Sequence, residues 1–161
     1  MIAVADTSPI CYLILIGEID LLPRLCNQVL MPRAVLAELL HEDAPVAVRS
    51  WASNLPLWIC AKESPDTPTS GLEKLQAGEQ AAILLAESSQ ADIILLDEKA
   101  ARRVAGERGL RVTGTLGVLG EGSKRGLLNL ASAIDRLRKT TFRCSPALLK
   151  STLDRVGAKL P

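Results

Sequence analysis

The chain has 161 residues and a net charge of +1, and 48% of its residues are hydrophobic whereas only 2% are aromatic. This length suits one hydrophobic core, so we predict a single domain over residues 1–161. The scarcity of aromatic residues argues against an aromatic base-stacking surface of the kind that binds single-stranded nucleic acid. An aliphatic composition instead favours a buried parallel sheet covered by helices.

The predicted elements begin with a strand over residues 2–5, which ends at Asp6, and a helix over 10–16 with Ser8 as its N-cap and Pro9 at its first position. After the next short helix, strands and helices continue to alternate as far as residue 112, with a surface loop at 64–70, and three helices follow. These further elements are helix 18–25, strand 29–31, a helix opened by Pro32, helix 80–89, strand 92–97, helix 98–108, strand 110–112, and helices 116–125, 131–139 and 146–156. The order predicts a three-layer α/β/α fold with a central parallel sheet, on which the C-terminal helices from about residue 131 pack.

The termini and the cysteines bear on location and on metal type. No basic leader is visible, and the most apolar run, residues 10–16, is shorter than the roughly 20 residues of a membrane-spanning helix, so we expect a cytoplasmic protein. The four cysteines lack the close pairing of zinc ligands and are interpreted as small buried hydrophobic residues. The only histidine, His41, cannot supply a histidine-rich metal site.

Charge is distributed unevenly along the chain. Residues 1–98 carry 5 basic and 14 acidic side chains, whereas residues 99–161 carry 14 basic and 4 acidic ones. A basic half favours a nucleic-acid partner, because Lys and Arg neutralise phosphates. Ordinary solvated helix faces explain the same pattern, so the charge alone leaves both interpretations open.

Two aspartates follow predicted strands directly. In a parallel sheet, ligands bind outside the carboxyl ends of the strands, which is where Asp6 and Asp97 are expected. If their strands are neighbours, the two carboxylates enter one crevice, where mutual repulsion favours a bound cation or a shared proton. The sequence itself does not give the strand order.

Two glutamates are further candidates for the same crevice. Glu38 is displaced slightly from the apolar side of its helix, and Glu79 begins a helix just after Gly78, where the helix dipole favours a negative charge. Carboxylate oxygens suit Mg²⁺ and Mn²⁺. Ser8 and Thr115 are candidates to hydrogen-bond these carboxylates, with helix capping as the competing interpretation.

Five segments together resemble the PIN-domain family, most closely the VapC toxins of bacterial and archaeal toxin–antitoxin pairs. The resemblance extends from residue 2 to about residue 138. The segments are Asp6-Thr7-Ser8-Pro9, Glu38 after Pro32, Gly78-Glu79-Gln80-Ala81-Ala82, Leu96-Asp97-Glu98 with Ala101-Arg102, and Gly114-Thr115-Leu116-Gly117.

The resemblance implies a ribonuclease that uses Mg²⁺ or Mn²⁺ to hydrolyse RNA phosphodiester bonds, with an antitoxin partner and a homodimeric state. It assigns the catalytic and metal-binding roles to four acidic residues, Asp6, Glu38, Glu79 and Asp97. Apart from the resemblance, the basic residues Arg102 and Arg103 on the helix after Asp97 are candidates to contact RNA phosphates, with an ordinary solvated helix face as the competing interpretation. One departure concerns residues 113–115, where many PIN nucleases carry a further acidic residue and this chain has Thr-Gly-Thr. Glu98 is a candidate replacement, although capping of its helix explains it equally well.

Two other classes of protein compete with this interpretation. Phosphoaspartate enzymes of the dehalogenase type have Asp-x-Asp after the first strand, and Asp6-Thr7-Ser8 lacks the second carboxylate. A PIN-like module that binds RNA or a protein without catalysis is favoured by the missing downstream carboxylate. The four acidic residues argue against it, since a purely structural domain has no need to keep repelling charges together.

Overall fold

Within residues 1–67 and 70–157 the sheet has five strands, and all of its neighbouring pairs are parallel. The structure is a computed structural model that describes residues 1–67 and 70–157. The strands lie in the order β3-β2-β1-β4-β5 across the sheet. Their bounds are β1 Ile2–Ala5, β2 Gln28–Pro32, β3 Ile59–Lys62, β4 Ile93–Leu95 and β5 Val112–Thr113.

Helices cover both faces of the sheet, which confirms the predicted three-layer α/β/α fold. Their bounds are α1 Thr7–Leu15, α2 Leu21–Leu25, α3 Arg33–Leu40, α4 Val46–Ala52, α5 Ala77–Ser88, α6 Lys99–Glu107, α7 Thr115–Lys124, α8 Leu130–Arg138 and α9 Pro146–Val156. In the described ranges, none of them is both long and apolar enough to span a bilayer.

The two cores arise from the alternation of side chains along the central strands. Ala5 and Leu95 point to the face covered by α1, α2, α7 and α8, whereas Val4 and Ile94 point to the face covered by α5 and α6. All four are at most 1% exposed. Full burial of a Leu or Ile side chain contributes about 1.5 to 3 kcal/mol, so both faces of β1 and β4 must be apolar.

The strand order places one crevice at the centre of the carboxyl edge. From β1 the chain crosses to β2 on one side, and from β4 it crosses to β5 on the other. Ligands bind at such a switch point, between the two strands whose connections diverge. Ala5 pairs with Leu95 there, and the Asp6 N–H continues the ladder by donating to the Leu95 carbonyl at 3.1 Å.

Two elements were not predicted, and one helix begins earlier than expected. Strand β3 lies at the sheet edge with an alternating, partly exposed pattern, and α4 has only seven residues, so neither has a strong apolar signal. Helix α1 begins at Thr7 with Asp6 in the N-cap position, so the prediction that Ser8 is the N-cap is wrong. No helix or strand occurs at 64–67; residues 68, 69 and 158–161 lie outside the described ranges.

The interpretation of the cysteines as buried is correct for Cys26 and wrong for two others. Cys60 and Cys144 are exposed, and Cys11 is half-buried. All four are free thiols. Burial raises the pKa of Cys11 and Cys26, which keeps these thiols protonated near neutral pH.

Candidate active site

Asp6 and Asp97 lie at the switch point, after two neighbouring central strands. Asp6 follows β1 directly and is only 5% exposed, while Asp97 follows Leu96, the residue after β4. The Leu96 N–H donates to the Thr113 carbonyl at 2.8 Å, so the strand ladder extends to the residue before Asp97. The backbone of the sheet therefore fixes where both carboxylates enter the crevice.

Asp97 is held in one orientation by Thr115, the first residue of α7. The Thr115 N–H donates to Oδ1 at 2.8 Å, and its hydroxyl donates to Oδ2 at 2.7 Å. Thr115 is fully buried. It is the first residue of α7, so the positive end of the helix dipole also stabilises the negative charge of Asp97. The Asp97 carboxylate thus has little rotational freedom left to lose on binding a ligand.

Glu38 reaches the crevice from α3 and lies against the start of α5. A Cβ atom at position 78 would be 2.6 Å from Glu38 Oε1, so only glycine permits this close approach. The Thr7 hydroxyl donates to the other carboxylate oxygen of Glu38. Glu38 is exposed, and these two neighbours connect its carboxylate to both α1 and α5.

Glu79 enters from α5 and is 6% exposed. It forms a capping box with Gln76, whose backbone N–H donates to Glu79 Oε2 at 3.0 Å. The capping role that competes with catalysis for this residue is therefore real. It engages one of the two carboxylate oxygens and does not exclude a second role for the other.

The pKa values indicate that the carboxylates repel one another. The pKa of Asp6 is raised to about 7, chiefly by burial and further by the negative charges of Glu79, Glu38 and Asp97, and this value includes the lowering effect of the adjacent backbone N–H of Thr7. Burial also raises the pKa of Glu79 and of Asp97. A cation placed among them would relieve this repulsion and the cost of burying the charges.

Arg102 lies in the crevice as well. Its Nη1 donates to the Leu96 carbonyl at 2.8 Å, and its charge lowers the pKa of Asp97. A Cβ atom at position 114 would be 2.7 Å from Asp97 Oδ1, 2.8 Å from Arg102 Nη1 and 3.0 Å from the Leu96 carbonyl oxygen. Gly114 is therefore needed for the carboxylate and the guanidinium to lie this close to the end of β4.

Gly114→Ala is expected to displace Asp97 and to destabilise the protein by about 1 to 3 kcal/mol, since the added methyl overlaps a backbone oxygen that cannot move freely. Urea denaturation measures the change. Gly106→Ala is the matched control, because no atom of the described ranges lies within 4 Å of its added methyl, and alanine there inside α6 should stabilise by about 0.5 to 1 kcal/mol. Equal stability of the two variants would show that position 114 is not crowded.

The remaining sequence candidates occupy different surroundings. Ser8 is half-buried in the first turn of α1, and the hydroxyl that reaches Glu38 is that of Thr7, the residue before it. Glu98 is exposed at the N-cap of α6, and its charge raises the pKa of Glu79 and Asp97, so it lies beside the crevice. Arg103 is exposed and pairs with Glu107 at 3.1 Å.

Five of the fourteen basic side chains after residue 98 are paired within the protein. Salt bridges join these arginines and lysines to carboxylates nearby on the same helix or on a neighbouring element. The pairs are Arg103–Glu107, Arg108–Glu87, Arg125–Glu121, Arg136–Glu18 and Lys139–Asp135. The solvated-surface interpretation is thereby strengthened for Arg108, Arg125, Arg136 and Lys139, whereas the exposed pair of Arg103 with Glu107 is weak enough to be exchanged for a phosphate contact.

The donor set suits a hard divalent cation, although the carboxylates do not form a ready-made cage. Within residues 1–67 and 70–157, no three His, Cys, Asp or Glu side chains have the spacing needed to hold an ion without movement. The oxygen donors and the raised pKa of Asp6 nevertheless fit Mg²⁺ or Mn²⁺. Because Asp97 is held by Thr115, rotation of the Glu38 or Glu79 side chain would be needed before three carboxylates could share one ion.

The fold and the site together define an α/β domain with an acidic crevice at its central switch point. Residues 2–158 match the model of a family described as a PIN domain, and the chain belongs to the PIN-domain family. PIN domains are generally nucleases that use divalent metal ions. Neither the curated proteins nor the solved structures contained a match to the chain.

Proposed function

We propose that the protein is a metal-dependent endoribonuclease that hydrolyses RNA phosphodiester bonds with Mg²⁺ or Mn²⁺. The observation that carries the proposal is the environment of Asp6. It is buried at the switch point with a pKa raised to about 7, partly by the charges of three other carboxylates. Such charges are costly to bury together unless a cation or a proton joins them.

Asp6, Asp97, Glu79 and Glu38 are the residues that would bind the metal. Asp6 and Asp97 come from the rigid strand ends, whereas Glu79 and Glu38 come from helices. The metal, when bound, lowers the pKa of water and neutralises phosphate charge in the transition state. Thr115 orients Asp97, and Thr7 orients Glu38. We assign Glu98 as the replacement for the acidic residue that many PIN nucleases carry after β5, because its charge acts on both Glu79 and Asp97.

The phosphates of RNA are negative, so the carboxylates of the crevice would repel them. A cation bound between the carboxylates and a phosphate removes this repulsion, which is why an RNA substrate fits a metal-loaded crevice. Arg102 brings one positive charge into the crevice, and Arg103 lies one residue further along the surface of α6. We propose that both contact the RNA backbone. Lys150, exposed on α9 and not among the residues that surround the crevice carboxylates, provides a comparison.

Arg103→Gln is expected to weaken RNA binding and to reduce the salt dependence of the affinity, because each lost phosphate contact lowers the slope of log K against log salt by roughly 0.7 for single strands. Fluorescence anisotropy at several salt concentrations measures this slope. Lys150→Gln should leave the slope unchanged. An unchanged slope in Arg103→Gln would show that Arg103 is an ordinary solvated side chain that makes no phosphate contact.

A PIN-fold interaction module without catalysis is the second candidate. It is favoured by Thr113-Gly114-Thr115 in place of a further carboxylate, and by the lack of a ready-made metal cage in the described ranges. Titration of Mn²⁺ into the purified protein with a mixed RNA pool separates the two functions. Cleavage that saturates with Mn²⁺ and is abolished by a chelator supports the nuclease. Undiminished RNA binding without cleavage, from protein free of copurified inhibitors, supports the module.

The resemblance to VapC toxins extends the proposal to a homodimeric toxin that an antitoxin keeps inactive. A small adjacent gene for a DNA-binding protein with a disordered tail is the observation that tests the antitoxin. Coexpression of that protein should suppress RNA cleavage. Sedimentation equilibrium tests the dimer.

A further inference from the structure

A cavity of about 480 Å³ adjoins the acidic crevice on the side of Glu38. Its apolar wall is formed by aliphatic residues of α3 and by the segment that leads into α4. These are Ala37, Leu39, Ala44, Pro45 and Val48. Thr7 and Glu38 line the cavity as well as the crevice, so the two spaces are continuous.

Among the residues that the structure describes, the cavity lining carries negative charge and includes no Lys or Arg. Glu38 and Asp43 line it, and both are exposed. A phosphate group would be repelled here, as like charges are at short range. The volume and the apolar wall are suited to a flat, uncharged organic group with polar atoms at its edge.

The edge of the cavity offers a hydrogen-bond donor beside an acceptor. The Asp43 N–H donates to His41 Nδ1 at 3.1 Å, while Asp43 Oδ2 is further from the same nitrogen, at 3.5 Å. From this hydrogen bond we assign the proton of the neutral imidazole to Nε2, which is then a donor. The Asp43 carboxylate is 87% exposed at its side chain and offers two acceptor oxygens. Donor and acceptor are thus only two residues apart on the same loop.

We propose that this cavity, the base pocket, receives a nucleobase next to the scissile phosphate and prefers guanine; this inference depends on the proposed nuclease function. A base packs its faces against the aliphatic wall, which explains how the chain binds one without an aromatic platform. Guanine presents N1–H and N2–H side by side, which match the two oxygens of Asp43, and its O6 accepts from His41 Nε2. Uracil presents a single N–H between two carbonyls and would place an oxygen against the carboxylate.

Cleavage-site mapping in a random RNA pool with Mn²⁺ tests the preference. The wild type should cut at a fixed distance from guanine. Asp43→Asn should reduce the guanine preference about tenfold, which lies in the range that one bidentate contact to a base supplies. Glu42→Gln removes a neighbouring exposed carboxylate that does not line the pocket, and it should retain the preference. An undiminished preference in Asp43→Asn would overturn the assignment of guanine.

A second pair of variants tests the cavity itself. Ala37→Leu fills the base pocket from the exposed side of α3, whereas Ala34→Leu adds the same side chain one turn earlier, outside the lining. Both positions are exposed, and leucine is a good helix former, so both variants should fold. Ala37→Leu should lower the guanine preference about tenfold, and Ala34→Leu should not. Equal preferences in these two variants would exclude the cavity as the base site.

A binding measurement distinguishes failure of this inference from failure of the nuclease proposal. Guanosine should shift the methyl NMR resonances of Ala37, Ala44 and Val48 in the wild type, and uridine at the same concentration should shift them less. If the protein does not cleave RNA but guanosine produces these shifts, the proposed catalysis fails and the base pocket stands. If RNA is cleaved but guanosine produces no shifts, the base pocket is overturned and the nuclease stands.

Discussion

Asp6→Asn is expected to lower metal-dependent RNA cleavage about a thousandfold, because a bound metal stabilises the transition state by several kcal/mol and Asn provides one neutral ligand in place of a charged one. Asp6 is 5% exposed between the strands and α1, so a change of similar volume should leave the fold intact. Initial rates of cleavage in saturating Mn²⁺ measure the effect.

Asp20→Asn is the matched control for this substitution, since Asp20 is an exposed aspartate at the start of α2, away from the crevice. Its cleavage rate should equal that of the wild type. Circular dichroism should show the same helix content in both variants. Cleavage within a few-fold of wild type in a folded Asp6→Asn protein would exclude Asp6 from the metal site.

The metal-free protein is expected to lose stability as the pH rises from about 4 through about 7. The folded-state pKa of Asp6, about 7, is raised above its ordinary value of 3.8, so the folded state binds more protons in this window than the unfolded state does. At about 1.36 kcal/mol per pKa unit, the loss from Asp6 approaches about 4 kcal/mol above pH 7. The raised pKa values of Glu79 and Asp97 act in the same direction.

Urea denaturation with a chelator at pH 5 and pH 8 measures this loss, and Asp6→Asn isolates its source. The variant lacks the titrating group, so its stability should depend less on pH, and at pH 8 it should be more stable than the wild type. Millimolar Mn²⁺ should restore much of the wild-type stability at pH 8, because a ligand of the folded state stabilises it. Identical pH dependence of stability in the two proteins would show that ionisation of Asp6 does not destabilise the folded state.

The sequence was sufficient to predict the layers of the fold and the two aspartates at strand ends, because both follow from short-range patterns. Buried strands are continuous apolar runs, and parallel strands end at one edge. It could not give the strand order, which depends on how the helices pack. That order makes β1 and β4 neighbours and so brings Asp6 and Asp97 to one switch point.

The details around the carboxylates depend on contacts that are distant along the chain. Thr115 lies 18 residues beyond the Asp97 that it holds, and Thr7 lies 31 residues before Glu38. The sequence offered Ser8 and Thr115 equally as partners for a carboxylate, and only the positions of α1 and α7 distinguish them. The position of Thr7, directly after the aspartate that ends a strand, is a sequence signal that would have made it a candidate partner for a carboxylate.

Neither strand β3 nor the position of Arg102 in the crevice could be predicted, because the local sequence signal for each is weak. The β3 strand at the edge of the sheet buries only part of its side chains, so its apolar pattern is weak. Arg102 is on an amphipathic helix full of charges, where a solvated side chain is the ordinary expectation. Its hydrogen bond to the Leu96 carbonyl depends on the absence of a side chain at Gly114, which no local pattern indicates.

Anomalous diffraction at the manganese edge, from crystals soaked in Mn²⁺, shows directly whether the four carboxylates bind a metal ion. We expect a peak in the crevice, within about 2 to 2.5 Å of an oxygen of Asp6 and of at least one further carboxylate among Asp97, Glu79 and Glu38, which are typical lengths for bonds between divalent cations and oxygen. Asp6→Asn crystals should lose the peak. Manganese bound elsewhere on the protein, with the crevice empty at millimolar concentration, would contradict the assignment of this site as the metal centre.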